Sequence, residues 1–106
     1  MITEAQIADF AKACEEMRRE HFQATAPNMM ASGFNHAHVG YKISRKYARL
    51  TVPNGGTLDG SAYAFVDMAT GDIYLPASWK TPAKHARGNI ANGIKGMGPY
   101  GPAYLR

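Results

Sequence analysis

The chain has 106 residues, of which 45% are apolar and 19% charged, and a net charge of +4. This length predicts one domain, residues 1–106, with the composition of a folded globular protein. No apolar run approaches the roughly 18 residues of a membrane-spanning helix, and the acidic, amphipathic start differs from a signal peptide. A single cysteine, Cys14, excludes an internal disulfide. We therefore expect a cytoplasmic protein that has no membrane partner.

The positive charge lies outside the first 24 residues. Residues 1–24 hold three basic and five acidic side chains, a net charge of −2, whereas residues 25–106 hold nine Lys and Arg against three Asp, a net charge of +6. A basic surface of this kind predicts an anionic partner: a nucleotide, a nucleic acid or an acidic protein. A basic surface that serves only solubility has the same composition.

The first segment has the pattern of an amphipathic helix over residues 3–23. Thr3 and Gln6 match a capping box, in which each side chain bonds the backbone N–H of the other residue. Residues 25–38 have no helical period and predict a loop with at most one helical turn. Within the helix, steps of three and four predict one buried face, made of Ile7, Phe10, Cys14, Met17 and His21.

An antiparallel meander of three to five strands is expected next. The apolar residues change parity between Ile43 and Ala48, so a bulge or tight turn is predicted at residues 44–46. Two further strands are predicted on either side of a hairpin loop at residues 67–72, with Gly71 in the left-handed conformation.

The last third of the chain predicts a second helix. Thr81 and Pro82 fit a helix N-cap and first helical position, and the helix is expected over residues 82–94 despite two internal glycines. The Gly- and Pro-rich tail is expected to be extended, with Tyr100 and Tyr104 docked on the domain. These elements together predict a two-layer α+β fold, with an N-terminal helix, the meander, a C-terminal helix and an extended tail.

The stretch from Ser61 to Ile90 contains the strings FVD, TGD, ASWK, PAK and RGN in this order. The pattern resembles a family of small, mostly uncharacterised proteins encoded by tailed bacteriophages, and the final GPYGPAYLR is similar to that family's C-terminus. The resemblance covers less than half of the chain and brings no established functional residues. It implies a small accessory protein in the host cell cytoplasm; some small phage proteins shield DNA, and others sequester nucleotide signals of bacterial defence.

The predicted second helix carries the leading candidate site. Lys80, Lys84 and Arg87 lie at spacings of four and three, so they line one helical face near an N-terminus where free N–H groups favour an anion. Asn89 adds a donor and an acceptor. Trp79, beside the cluster, is expected to be a core residue rather than a stacking platform for a base. The lysines also fit a solvated helix face.

A second cluster lies on the predicted sheet. Cations interleaved with aromatic side chains on a sheet suit single-stranded nucleic acid or a nucleotide, although lysines on an edge strand also prevent pairing with other sheets. Arg45 and Arg49 are therefore candidate contributors to the anion site. The cluster comprises Lys42, Arg45, Lys46 and Arg49 with Tyr41 and Tyr47.

Metal binding and catalysis have little support in the sequence. His36 and His38 form a His-x-His pair of the kind that chelates zinc on a strand. No third ligand is assured, and no acidic residue lies within a few positions to orient either ring. The chain also lacks a phosphate-binding loop and a nucleophile elbow. We therefore expect no metal, no cofactor and no catalytic residue.

The sequence thus predicts a non-enzymatic accessory protein that binds a phosphate-bearing ligand, either a nucleotide-type defence signal or a nucleic acid. The small core and the aromatic, Gly-rich tail predict a homo-oligomer. The alternative is a protein-interaction module that inhibits a host enzyme or a defence complex. That function requires an exposed apolar patch near Met29, Met30 and Phe34.

Overall fold

The computed structural model describes residues 1–102. Five antiparallel strands form the main sheet in chain order: β1 (Gly40–Ile43), β2 (Tyr47–Asn54), β3 (Thr57–Asp67), β4 (Asp72–Pro76) and β5 (Pro82–Asn89). Two helices precede it, α1 (Glu4–Thr25) and α2 (Pro27–Met30). A 3-10 helix (Ile90–Asn92) and a hairpin of β6 (Met97–Gly98) and β7 (Gly101–Pro102) follow. The predicted α+β fold, with its N-terminal helix and antiparallel meander, is confirmed.

Helix α1 begins at the predicted capping box. The Thr3 hydroxyl accepts from the backbone N–H of Gln6 at 3.2 Å, and the Gln6 side chain accepts from the N–H of Thr3 at 2.8 Å. The N–H of Ile2 also donates to the carbonyl of Met68, just after β3, at 2.8 Å. These bonds fix both the first turn of the helix and its position against the sheet.

The buried face of α1 departs from the prediction in its second half. Met17 and His21 remain partly exposed, and Arg18 is buried in their place. Arg18 is 5% exposed, and its guanidinium finds polar partners, with Nε donating to the Pro99 carbonyl at 2.9 Å and Nη1 to the His38 carbonyl at 3.0 Å. A buried cation thereby fixes the tail and the loop before β1 to the helix. The full buried set is Ile7, Phe10, Ala11, Cys14, Arg18 and Phe22.

One face of the sheet packs against α1 and forms the core. Residues directly opposite each other on neighbouring strands point to the same face. The pairs Ala48–Val66 and Leu50–Ala64 belong to the core, together with Ile7 and other apolar residues of α1. The residues between them in sequence point to the other side of the sheet, which we call the outer face.

The predicted second helix is wrong, because residues 82–89 form the edge strand β5 and only Ile90–Asn92 are helical. Each of the two glycines costs a helix roughly 1 kcal/mol relative to alanine. As a strand, the same residues pair with backbone groups of β4 that would otherwise form an open edge. The Thr81–Pro82 signal also suits this structure, because proline is tolerated as the first residue of an edge strand.

The remaining turns follow the sequence more closely. The N–H of Ser44 donates to the carbonyl of Tyr47 at 2.9 Å, which closes the predicted tight turn between β1 and β2. Gly71 has a φ of +82° in the hairpin before β4, as expected. The tail forms the β6–β7 hairpin. Tyr100 is 80% exposed, but its ring lies against α1, with its centroid 6.0 Å from the rings of both His21 and Phe22. Tyr104 lies outside the described residues.

Candidate functional site

The outer face of the sheet carries a cluster of aromatic side chains. Phe65 pairs with Arg49 on β2 and with Tyr74 on β4, so these three residues share this face. The Tyr47 ring lies edge-on to both neighbours, with centroids 6.2 Å from Phe65 and 6.1 Å from Tyr74. Phe65 is 3% exposed, whereas both tyrosines are only half-buried. The two tyrosines therefore present aromatic surface to solvent.

Two cations face each other beside these rings. Lys42 on β1 lies directly opposite Arg49 on β2, and like charges in this position destabilise a sheet. Among residues 1–102, neither side chain forms a salt bridge with a carboxylate. Lys46 adds a third cation, with its Nζ 5.4 Å from the centroid of the Tyr47 ring. An anionic ligand at this position would offset the repulsion.

Trp79 covers Arg49 and is not a core residue. Its side chain is 40% exposed, so the prediction of a core tryptophan is wrong. The guanidinium carbon of Arg49 lies 4.1 Å from the centroid of the Trp79 ring, and Nη1 donates to the Trp79 carbonyl at 3.3 Å. The stacked pair holds the indole at the surface, in the loop between β4 and β5. This is the arrangement that a stacking platform for a base requires.

A concavity of about 290 Å³ opens at the Arg49–Trp79 pair. Its wall combines two cations, two aromatic rings, a threonine hydroxyl and a carboxylate. Trp79 also borders a neighbouring concavity of about 280 Å³. We call the first one the Trp79 cavity; its lining residues are Tyr41, Lys42, Arg49, Thr51, Asp59 and Trp79.

A hydrogen-bonded cluster fixes Asp59 in the wall of the Trp79 cavity. Its Oδ1 accepts from the Thr51 hydroxyl at 2.7 Å and lies 2.9 Å from Nε2 of His38. These bonds, from Thr51 first and then from His38, lower the pKa of Asp59, so its carboxylate is charged at neutral pH. Nδ1 of His38 lies 3.7 Å from Glu15 Oε1. No acidic residue is near His38 in sequence, as stated above, but the fold brings two distant carboxylates to its ring.

His36 does not join this cluster. Its Nε2 lies 3.2 Å from the Ser32 hydroxyl, and neither histidine of the His-x-His pair lies on a strand. Within residues 1–102, no group of three or more His, Cys, Asp and Glu is arranged to hold a metal ion.

The structure separates the residues of the predicted helical anion site. Lys80 lies in the loop after β4, whereas Lys84 is exposed within β5. Arg87 is half-buried at a bulge, since β5 has one extra residue between its pairings with Ile73 and Tyr74. No helical face unites them, because the helix does not form. Arg45 is exposed in the turn between β1 and β2.

Asn89 uses its side-chain amide to stabilise the fold rather than to contribute to a surface site. Its Nδ2 donates to the Thr70 carbonyl at 2.9 Å and to Asp72 Oδ1 at 3.1 Å, and its Oδ1 accepts from the N–H of Ala91 at 2.9 Å. It thus links the β3–β4 hairpin to the start of the 3-10 helix. Of the sequence-predicted site residues, the structure brings together Arg49 and Trp79.

A larger concavity, of about 360 Å³, lies between α1 and the 3-10 helix, away from the outer face. Ile2, Phe10 and Ile90 give it an apolar wall, and its one charged lining residue is Asp9. With no lysine or arginine in its wall, it is unsuited to a phosphate group. The outer face is therefore the better candidate site.

A family model described as a family of unknown function, DUF7717, matches residues 1–97. The chain belongs to this family. No curated protein and no solved structure matches it. The DUF7717 match spans α1 and all five strands of the main sheet, so the outer face lies within the family's domain. No helix of residues 1–102 is long and apolar enough to cross a membrane.

Proposed function

We propose that this DUF7717 protein is a non-enzymatic accessory protein that binds single-stranded nucleic acid across the outer face of its sheet. The observation that carries the proposal is the opposed Lys42–Arg49 pair, which has no carboxylate partner among the described residues and lies beside exposed aromatic rings. Proteins that bind single strands combine cations along the phosphates with aromatic side chains on which bases stack.

The extent of the outer face favours a strand over a single nucleotide. Neighbouring strands lie about 4.8 Å apart, so five of them span roughly 19 Å. Cations are distributed over this width, from Lys42 on β1, through Lys46 beside β2, to Lys84 on β5. One nucleotide would reach only part of this set. The ligand remains phosphate-bearing, as the sequence predicts, while its binding surface moves from a helix to the sheet.

The wider context of the proposal comes from the sequence. The resemblance to phage proteins supports a site of action in the cytoplasm of a host cell, and the small core and the aromatic, Gly-rich tail support a homo-oligomer. Binding a strand uses no catalytic group and no cofactor. The alternative, a protein-interaction module, requires an exposed apolar patch, and Met29, Met30 and Phe34 are half-buried rather than exposed.

The proposal is tested with fluorescein-labelled 12-mers of single-stranded DNA, single-stranded RNA and duplex DNA, measured by anisotropy at 50 and 200 mM salt. We expect the single strands to bind more tightly than the duplex. For three to four phosphate contacts on a single strand, affinity should fall roughly 20- to 50-fold between the two salt concentrations. A panel of cyclic and linear nucleotides serves as competitor.

Charge-matched variants locate the site. Lys42→Gln combined with Arg49→Gln should abolish strand binding. Lys12→Gln combined with Lys95→Gln removes the same charge from exposed positions on α1 and after the 3-10 helix, and should bind almost normally. Equal losses of affinity in both double variants would indicate non-specific electrostatic attraction. Absence of single-strand binding, or tight binding of a free nucleotide alone, would overturn the proposal.

A further inference from the structure

The Trp79 cavity contains a carboxylate in a wall that also carries two cations, Lys42 and Arg49. A site for phosphate alone gains nothing from Asp59, because its negative charge repels the ligand. The combination suits a ligand whose one end is anionic and whose other end donates hydrogen bonds. A nucleotide with an amino group on its base has these two ends.

The position of Asp59 is fixed on one side and open on the other. Oδ1 is occupied by Thr51 and His38, whereas Oδ2 has no hydrogen-bond partner among residues 1–102. The Asp59 side chain is 58% exposed and lines the cavity. A charged acceptor held by a rigid neighbour and open to a ligand is a recognition group of the kind that reads base edges.

Gly40 lies against the hydrogen-bonded cluster of Asp59. A Cβ at this position would collide with the Asp59 carboxylate and would lie 2.9 Å from Nε2 of His38 and 3.0 Å from the Thr51 hydroxyl. The backbone of β1 can approach the three side chains closely because residue 40 has no side chain. The three side chains can therefore adopt this arrangement only because residue 40 is a glycine. The backbone conformation of β1 alone would allow any residue there.

We propose that the Trp79 cavity binds a base that carries an exocyclic amino group, and that Asp59 accepts a hydrogen bond from that group. The inference rests on the proposed single-strand binding and adds base preference to it. Carboxylates accept from the amino group of cytosine, whereas uracil presents a carbonyl oxygen at the same position. Attraction of one base and repulsion of the other both contribute to discrimination. The guanidinium of Arg49 and the indole of Trp79 provide planar surfaces for stacking.

The test compares 12-mers of deoxycytidine and deoxyuridine, whose bases differ by the amino group and its replacement by oxygen. We expect the wild-type protein to bind the deoxycytidine strand roughly 5- to 20-fold more tightly at pH 7.5. Asp59→Asn should reduce this preference to about one, because it weakens deoxycytidine binding and removes the repulsion of the uracil carbonyl, so deoxyuridine binding becomes tighter. Circular dichroism checks that the variant is folded.

Asp67→Asn is the matched control. Asp67 lies opposite Tyr47, near the other end of the outer face, and its substitution removes the same charge. The Asp67→Asn variant should bind both strands slightly more tightly, and by the same factor. Binding of both strands with equal affinity by the wild type, or an equal change of both in Asp59→Asn, would overturn the base preference and leave the proposed function intact. Failure of both strands to bind would overturn both the base preference and the proposed function.

Discussion

Substitution of Trp79 by alanine tests whether this residue is a stacking platform at the surface or a core residue. A fully buried tryptophan costs about 3–5 kcal/mol on truncation, part of it for the cavity that remains. Trp79 is 40% exposed, and its site is open to water, so the cavity contribution is absent. Scaling the roughly 1.5–3 kcal/mol for full burial of a large apolar side chain by the hidden part of Trp79 gives about 1–2 kcal/mol. We expect Trp79→Ala to lose this amount and remain folded.

The assay is urea denaturation followed by far-ultraviolet circular dichroism, because the chain has a single tryptophan and its fluorescence is lost in the variant. Phe10→Ala provides the comparison, since Phe10 is 5% exposed in the core and should lose about 3–5 kcal/mol. The folded Trp79→Ala protein should also bind single strands less tightly by about 1–3 kcal/mol, the usual contribution of one stacked base. Equal destabilisation by Trp79→Ala and Phe10→Ala would refute the surface assignment.

Three further predictions test other parts of the molecule. Gly40→Ala should displace the flexible end of Asp59, which costs less than about 1.5 kcal/mol of stability but removes the preference for deoxycytidine in the anisotropy assay. Burial raises the pKa of the Cys14 thiol from 9.0 to about 12. The unfolded chain therefore loses its proton first, and the free energy of unfolding should fall above pH 9 by up to about 1.4 kcal/mol per pH unit. In Cys14→Ala, urea titrations between pH 8 and 10 should show a smaller decline, which persists near pH 10 because burial also raises the pKa of Tyr63. Light scattering should give the mass of a homo-oligomer, and a monomer at all concentrations would contradict that expectation.

The elements that could be predicted are those whose signals are local. The capping box of Thr3 and Gln6 involves residues three apart, and the β3–β4 hairpin depends on Gly71 within its own loop. The change of apolar parity between Ile43 and Ala48 likewise predicted the tight turn at residues 44–46. In each case the sequence pattern and the structure are fixed by neighbouring residues.

Strand β5 could not be predicted because its stabilising partner is elsewhere in the chain. Its residues carry a helix start signal at Thr81–Pro82, and the pairing with β4 outweighs that preference. The Asp59 cluster was missed for the same reason, because Glu15, His38 and Asp59 come from three separate elements. The one usable signal was the interleaving of cations and aromatic residues on the predicted sheet. It included Lys42 and Arg49, which lie opposite each other, and also Arg45, which lies in the turn between β1 and β2.

The placement of the unfavourable features on the outer face argues for function there. Helix α1 covers the core face, and Phe65 on the other face is buried by the side chains of its own sheet. The opposed Lys42–Arg49 pair is repulsive, and the half-exposed tyrosines and Trp79 leave aromatic surface in water that packing would otherwise bury. Local rules are most often violated at functional sites, because a ligand supplies the missing partner. In this chain the violations lie together on one face, and a negatively charged strand with stacking bases would relieve all of them.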